Sequence, residues 1–206
     1  MELIKMILPI ATLLLGVYLA PMIEKLKKDN ENKRLFRSIQ IELNDNLSSI
    51  VGDINDIYRS VCNRMLNSDD FIHLSLPLKM EFTLLNKNLS DVYAILTRDQ
   101  RRGMRVLLAQ EKIIEDKQNS IIEKFKKSNN ECLAAEQSLL HSYLCVYYIL
   151  NGLVNQCERY KHGNEPTAEV VKKTAKSLEL IYPITLFSAG NYLYEYNQLT
   201  APIETE

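Results

Sequence analysis

The 206-residue chain has no tryptophan, few glycines and prolines, and almost no net charge. It contains six Gly, six Pro and four Cys, with 25 Lys and Arg residues against 26 Asp and Glu residues. This low Gly and Pro content, beside 46% apolar residues, argues against a disordered chain and against an all-β fold rich in tight turns. The near-zero net charge removes the strongest reason to expect nucleic acid as a partner, because phosphate binding needs a basic surplus concentrated on one face.

Charge is also absent from eighteen consecutive residues near the N-terminus, Met6 to Ile23. As a helix this stretch would be about 27 Å long, close to the ~30 Å hydrocarbon core of a bilayer. A cleaved signal peptide is the alternative, but the apolar run is long and no small-x-small cleavage pattern is met around Ala20. We therefore predict an uncleaved transmembrane anchor over residues 1–24.

Basic residues follow the predicted span, and 25–35 forms a basic juxtamembrane segment. The candidates for contact with anionic lipid headgroups are Lys25, Lys27, Lys28, Lys33, Arg34 and Arg37. Their excess over Lys5 and the α-amino group predicts a single-pass protein of the cell inner membrane with its large domain in the cytoplasm. The alternative is that these residues contact a nucleic acid or an acidic partner, which the interleaved acidic residues make less favourable.

Three small residues, Thr12, Gly16 and Ala20, are spaced four apart and share one face of the predicted span. Small residues at this spacing allow two membrane helices to approach closely. This stripe is the candidate membrane-packing surface. It also supports an alternative function, that of a membrane-perturbing effector that oligomerises through its transmembrane helix.

The rest of the chain repeats apolar residues every three or four positions, which is typical of amphipathic helices, and no alternating strand pattern competes. Helices are predicted over about 32–66, from near Pro77 to 125 with Gly103 as either a bend or a tolerated cost, over 131–160, and over 168–197 with a kink at Pro183. The first of these could be continuous with the membrane span. The uncharged stretch from Gln137 to Cys157 is long enough to be a second span, but its polar residues favour a buried bundle helix.

The predicted fold class is therefore all-α. One N-terminal transmembrane helix is joined to an antiparallel bundle of four or five helices. The bundle is expected over residues 36–198, followed by a C-terminal tail at 199–206.

The set most suggestive of metal binding is His141, Cys145, Cys157 and His162, because two Cys and two His suffice for tetrahedral zinc. However, Cys145 and Cys157 are about 18 Å apart along one predicted helix, too far for a single ion unless that helix breaks. The irregularly spaced cysteines suit a reducing compartment, where they act as small core residues. We therefore predict no metal.

Signature motifs of catalysis are missing as well. The chain has no Gly-x-Ser-x-Gly, no Gly-rich phosphate loop and no HExxH. The sequence thus predicts no cofactor and no catalytic residue. A membrane-anchored enzyme with unidentified residues is the alternative.

Eight of the eleven tyrosines lie on the last two predicted helices. The interface candidates among them are Tyr143, Tyr147, Tyr148, Tyr192, Tyr194 and Tyr196. They could present an aromatic surface to a protein partner or to a second copy of the chain. The alternative is ordinary amphipathic packing with the hydroxyl groups at the rim.

Three segments carry a partial resemblance to known proteins: IELNDNL at Ile41–Leu47, LPLKMEF at Leu76–Phe82 and LSDVY at Leu89–Tyr93. Over about the first half of the chain they resemble a loose group of bacterial proteins with one N-terminal membrane helix and a cytosolic helical domain. The Trp that often follows Leu-Pro in that group is absent here. The resemblance implies the architecture, and some members look like accessory or effector components of phage-defence operons. The predicted function is a non-enzymatic scaffold, sensor or regulator that acts through protein contacts.

Overall fold

All regular secondary structure in the described part of the chain is helical, so the all-α class is confirmed. The structure, a computed structural model, describes residues 2–66, 74, 76–125, 128–163 and 165–180, and the side chains of the first helix from residue 16 onward. The helices are α1 (Glu2–Leu66), α2 (Thr83–Val92), α3 (Arg98–Phe125), α4 (Asn129–Asn155) and α5 (Thr167–Ser177), with a 3₁₀ turn at Cys157–Arg159.

Helix α1 is one uninterrupted helix of 65 residues. Its C-terminal half enters the domain core through a stripe at helical spacing, in which the fully or almost fully buried residues are Ile39, Leu43, Ile50, Ile54, Ile57 and Val61. Its residues 16–31 are exposed instead. The same helix therefore projects from the domain and forms one of its main packing elements.

The central element of the bundle is α4, which packs against α1, α3 and α5. Contacts on several sides explain why it is apolar around most of its circumference, with Leu139, Leu144 and Leu150 fully buried. The uncharged stretch within Gln137 to Cys157 thus lies largely in the core of a helical domain. Among the residues whose side chains are described, no helix is both long enough and apolar enough to cross a membrane. Residues 6–15 of the predicted N-terminal span lie outside that set.

A buried ion pair joins α1 to α4. The guanidinium of Arg64 donates to both carboxylate oxygens of Glu136, from Nε at 2.9 Å and from Nη2 at 2.8 Å, and both residues are 2% exposed or less. Ser60 donates a third hydrogen bond to the same carboxylate, and the Arg64 Nη1 donates to the side chain of Asn129. This network satisfies the buried charges, and it aligns the C-terminal end of α1 with the N-terminal part of α4.

The opposite ends of these two helices also meet, because Gln40 Nε2 of α1 lies 3.3 Å from Cys157 Sγ just beyond α4. Helices α1 and α4 are therefore antiparallel. Helix α3 is antiparallel to α4 as well, since Lys117 donates to Ser142 Oγ at 2.7 Å while Gly103 faces the chain that follows α4. The N-terminus of α3 thus lies at the same end of the bundle as Gln40.

Helix α2 begins at Thr83, not near Pro77 as predicted from the sequence. The Glu42 carboxylate on α1 accepts hydrogen bonds from the backbone N–H groups of Leu84 and Leu85, at 2.7 and 2.8 Å. This carboxylate satisfies two N–H groups that a helix start leaves without a partner, and it sits favourably at the positive end of the helix dipole. The start is therefore set by a residue about forty positions earlier, which a local pattern does not reveal.

The predicted ends of the last two helices are also corrected. Helix α4 ends at Asn155 rather than near Tyr160, and Cys157 then adopts a positive φ of 44°. Helix α5 ends at Ser177, where Glu179 has a φ of 54° and the Leu180 N–H bonds back to the Ala175 carbonyl. This is the Schellman arrangement that terminates helices. The part of the predicted helix beyond residue 180, with its kink at Pro183, lies outside the described residues.

Tyr160 fills the space between α3 and α4. A Cβ added to Gly103 would lie 2.9 Å from the Tyr160 ring, and one added to Gly152 would lie 2.7 Å from its other edge. Helix α3 runs without interruption through Gly103, so the predicted bend there is wrong. The alternative, one long helix that tolerates Gly103, is wrong as well, because the chain leaves the helical conformation between the end of α2 at Val92 and the start of α3 at Arg98. The two glycines are present because the ring needs the room that a side chain would occupy.

We predict that Glu136→Gln lowers the free energy of unfolding by about 3 kcal/mol, because it leaves the buried Arg64 without its countercharge. The measurement is thermal and chemical denaturation of the full chain, followed by circular dichroism. The matched control is Glu115→Gln, the same change in the exposed pair with Lys79, whose side chains are 50% and 45% exposed. We expect that control to cost less than about 1 kcal/mol, and equal losses in the two variants would contradict the assignment.

We predict further that Gly103→Ala and Gly152→Ala each cost about 1–3 kcal/mol, because the Tyr160 ring cannot move aside without displacing a helix. Gly52→Ala, in the interior of α1, provides the comparison, since an added Cβ there meets nothing within 4 Å. That change should stabilise the protein by up to about 1 kcal/mol through better helix propensity. Denaturation curves of the three variants test this, and a stabilising Gly152→Ala would show that the ring does not hold its position.

Candidate functional site

The exposed N-terminal part of α1 carries large apolar side chains on a surface that the domain does not cover. Val17 is 69% exposed, Tyr18 76% and Leu26 61%. The six basic candidates, from Lys25 to Arg37, are all exposed too. Exposed apolar side chains of this size, followed along the same helix by exposed basic residues, form a surface that is accessible for an interaction outside the domain.

The two described members of the small-residue stripe, Gly16 and Ala20, take no part in packing the domain. Gly16 and Ala20 are exposed, and a Cβ added to Gly16 would have no neighbour within 4 Å. The side chain of Thr12 lies outside the described residues. The two described members of the stripe are therefore accessible on the projecting part of α1.

The structure divides the tyrosine candidates. Tyr143 is fully buried in the core, and burial raises the pKa of its hydroxyl. The prediction that Tyr143 belongs to an interaction surface is wrong, because α4 packs on several sides and leaves that ring no solvent face. Tyr147 and Tyr148 are half-buried. Tyr192, Tyr194 and Tyr196 lie outside the described residues.

The histidines and cysteines of the suspected zinc set contact three different sets of side chains. Cys145 Sγ lies 4.0 Å from His141 Nδ1 on one turn of α4, Cys157 faces Gln40, and His162 Nδ1 lies 2.9 Å from the Tyr160 hydroxyl. Within the described part of the chain, no three His, Cys, Asp or Glu residues are arranged to hold a metal ion.

Cys145 and His162 both line a small cavity of about 160 Å³ between α3, α4 and α5. Burial raises the pKa of the Cys145 thiol to about 11. A thiol with so high a pKa stays protonated at neutral pH and is a poor nucleophile. The pairing of Cys145 with His141 therefore does not create an activated cysteine.

A more distinctive feature was missed by the sequence reasoning, namely an arginine cleft along the first turns of α3. It has a volume of about 550 Å³ and is lined by Tyr93, Arg98, Arg101, Arg102, Arg105, Val106 and Ala109. Except for Tyr93, these residues are spaced three or four positions apart and therefore share one helix face. That spacing is visible in the sequence and could have predicted the cleft. The net charge of the whole chain is close to zero, and this sum does not reveal that four arginines line one cleft.

Tyr93 organises two of these arginines. The guanidinium of Arg101 lies 4.7 Å from the centre of the Tyr93 ring and that of Arg105 lies 5.1 Å from it. Arg101 also donates from Nη1 to the Tyr93 carbonyl at 3.2 Å. Cation–π contacts position both guanidinium groups beside the Tyr93 ring, and the hydrogen bond gives Arg101 a second contact.

No protein-family model, no curated protein and no solved structure matches this chain.

Two half-buried histidines, His141 and His162, predict a pH dependence of stability. Burial lowers the pKa of His141 and of His162 below the ordinary value of 6.5, with Lys117 and Arg102 respectively adding repulsion. Between the lowered folded pKa and 6.5 the unfolded chain binds more protons than the folded chain, so unfolding becomes easier as the pH falls. We expect the melting temperature to drop as the pH is lowered below about 6.5.

The double variant His141→Gln, His162→Gln tests this, because it should show a smaller loss of melting temperature than the parent chain between about pH 7.5 and about pH 5.5. Comparing the two chains cancels the contributions of the acidic residues, which are the same in both. A double variant with an unchanged pH slope would refute the role of these two rings.

Proposed function

We propose that this chain is a membrane-anchored helical protein whose domain acts on the cytoplasmic side as a scaffold, sensor or regulator through protein contacts. The observation that carries the proposal is α1. A single helix extends from an uncharged segment, passes through exposed apolar and basic residues, and continues into the core of the domain.

The first support is the order of side chains along α1. Exposed apolar residues such as Val17 and Ile23 are followed at once by the basic residues from Lys25 onward. Lysine and arginine at the end of an apolar helix interact with headgroups and favour retention on the cytoplasmic side. The first nearly complete burial comes only at Ile39, so about 25 Å of helix separates Ile23 from the domain core.

The second support is the continuity of α1. A helix without an interruption transmits displacement from its exposed end to its packed end, because its backbone hydrogen bonds resist bending. Such a connection suits a protein that reports an event at the membrane to a cytosolic partner. The resemblance to bacterial proteins with one membrane helix supports the same type of role, with accessory components of phage defence among the candidates.

We predict that the full chain stays in the membrane fraction through alkaline carbonate extraction, whereas a chain without residues 1–24 becomes soluble and keeps its helical circular dichroism. The removed segment contains the whole predicted span, while the packed part of α1 begins beyond it. As the matched control, a chain without residues 199–206 should stay in the membrane fraction. Recovery of the full chain in the carbonate supernatant would contradict the anchor.

The orientation and the partner are read from the same membranes. Protease should digest the domain in inside-out vesicles and spare it in intact spheroplasts, and the reverse pattern would contradict the cytoplasmic placement. Chemical crosslinking of the full chain, read by mass spectrometry, should then capture a stoichiometric protein partner. Self-crosslinks alone would favour instead the effector that oligomerises through its span, and Gly16→Leu should abolish them in that case.

A further inference from the structure

Three arginines of the arginine cleft, Arg98, Arg101 and Arg105, carry positive charge that no carboxylate of the described residues neutralises. Within the described part of the chain, Arg98, Arg101 and Arg105 form no ion pair with a carboxylate, and no acidic residue lines the cleft. Arginines three and four positions apart on one helix face repel each other. Such an arrangement is unfavourable for folding alone, which points to a ligand that brings negative charge.

The guanidinium groups are also positioned as a binding site requires. Arg101 and Arg105 are held against Tyr93, while Arg98 is exposed at the first turn of α3, where the helix dipole adds a partial positive charge. A planar guanidinium donates two parallel hydrogen bonds to a phosphate more readily than to a monoatomic anion. Fixing these side chains in advance reduces the entropy that binding would otherwise cost.

We propose that this cleft binds a soluble organic phosphate. Its volume of about 550 Å³ falls within the usual range for small-molecule sites and exceeds what a single phosphate ion needs. The lining changes along α3 from arginines to Val106 and Ala109, so a ligand with a phosphoryl group at one end and a less polar group at the other matches it. A nucleotide has this composition.

The position of the cleft favours a soluble ligand over a lipid headgroup. Gln100 donates to the Cys157 carbonyl, and the Cys157 thiol accepts from Gln40, so the start of α3 lies level with Gln40 on α1. Gln40 is seventeen residues beyond Ile23, or about 25 Å along an upright helix. The preference for a soluble ligand over a lipid headgroup rests on the proposed membrane anchor, whereas the recognition of a phosphate by the arginines does not.

Calorimetric titration of the full chain in detergent micelles, with ATP and with inorganic pyrophosphate as separate probes, tests the site. We expect one ATP per chain, with pyrophosphate binding more weakly because it does not reach the apolar end. Arg98→Gln and Arg105→Gln should each raise the Kd for ATP by about tenfold or more, which corresponds to losing a charge-assisted hydrogen bond. Arg98→Gln leaves the contacts with Tyr93 intact, so its effect does not depend on altered folding.

The matched control is Arg59→Gln, which removes the same charge from an exposed position on α1 outside the cleft. Its Kd should stay within about twofold of the parent value. Equal weakening by Arg59→Gln and Arg98→Gln would overturn the site in favour of diffuse electrostatic attraction, and absence of binding to both probes would overturn it outright. Binding that occurs only to phosphatidylcholine vesicles containing phosphatidic acid would show that the ligand is a lipid headgroup, and would overturn the proposal of a soluble phosphate. None of these outcomes depends on whether the carbonate extraction succeeds.

Discussion

The axial register between α1 and α4 is held by the buried ion pair of Arg64 and Glu136. A charged pair in the core is stable only where its partners meet in one geometry, because any slip would leave a charge unpaired in an apolar surrounding. That geometry places Gln40 beside Cys157 at the other end of the two helices. It thereby positions the start of α3 and, with it, the arginine cleft. The network of Ser60 and Asn129 around the pair makes the alternative registers still less favourable.

Periodicity predicted the helices and much of the core. The apolar positions of α1 recur every three or four residues, and Ile39, Ile50 and Ile54 are fully buried as that pattern indicates. The ends of the helices were predicted less well, because distant contacts determine them. Glu42 sets the start of α2, and the chain turns back after α4 so that the Tyr160 ring packs against Gly103 and Gly152.

The site was predicted only in part for a similar reason. The spacing of Arg98, Arg101 and Arg105 on one helix face was visible in the sequence, but the role of Tyr93 as their platform depends on how α2 leads into α3. Tyr143 shows the opposite error. An aromatic residue on a helix that packs on several sides is counted as a surface residue when only its own helix is considered.

The unbroken course of α1 has a geometric consequence for everything attached to it. Successive residues of an α-helix are rotated by about 100° and advance by about 1.5 Å. The direction in which the exposed apolar residues of α1 face is therefore fixed relative to the domain. The number of residues between them sets the angle between these two directions. Over evolution, insertions or deletions in the exposed stretch would be tolerated mainly in steps of three, four or seven residues, which restore the facing direction of the arginine cleft.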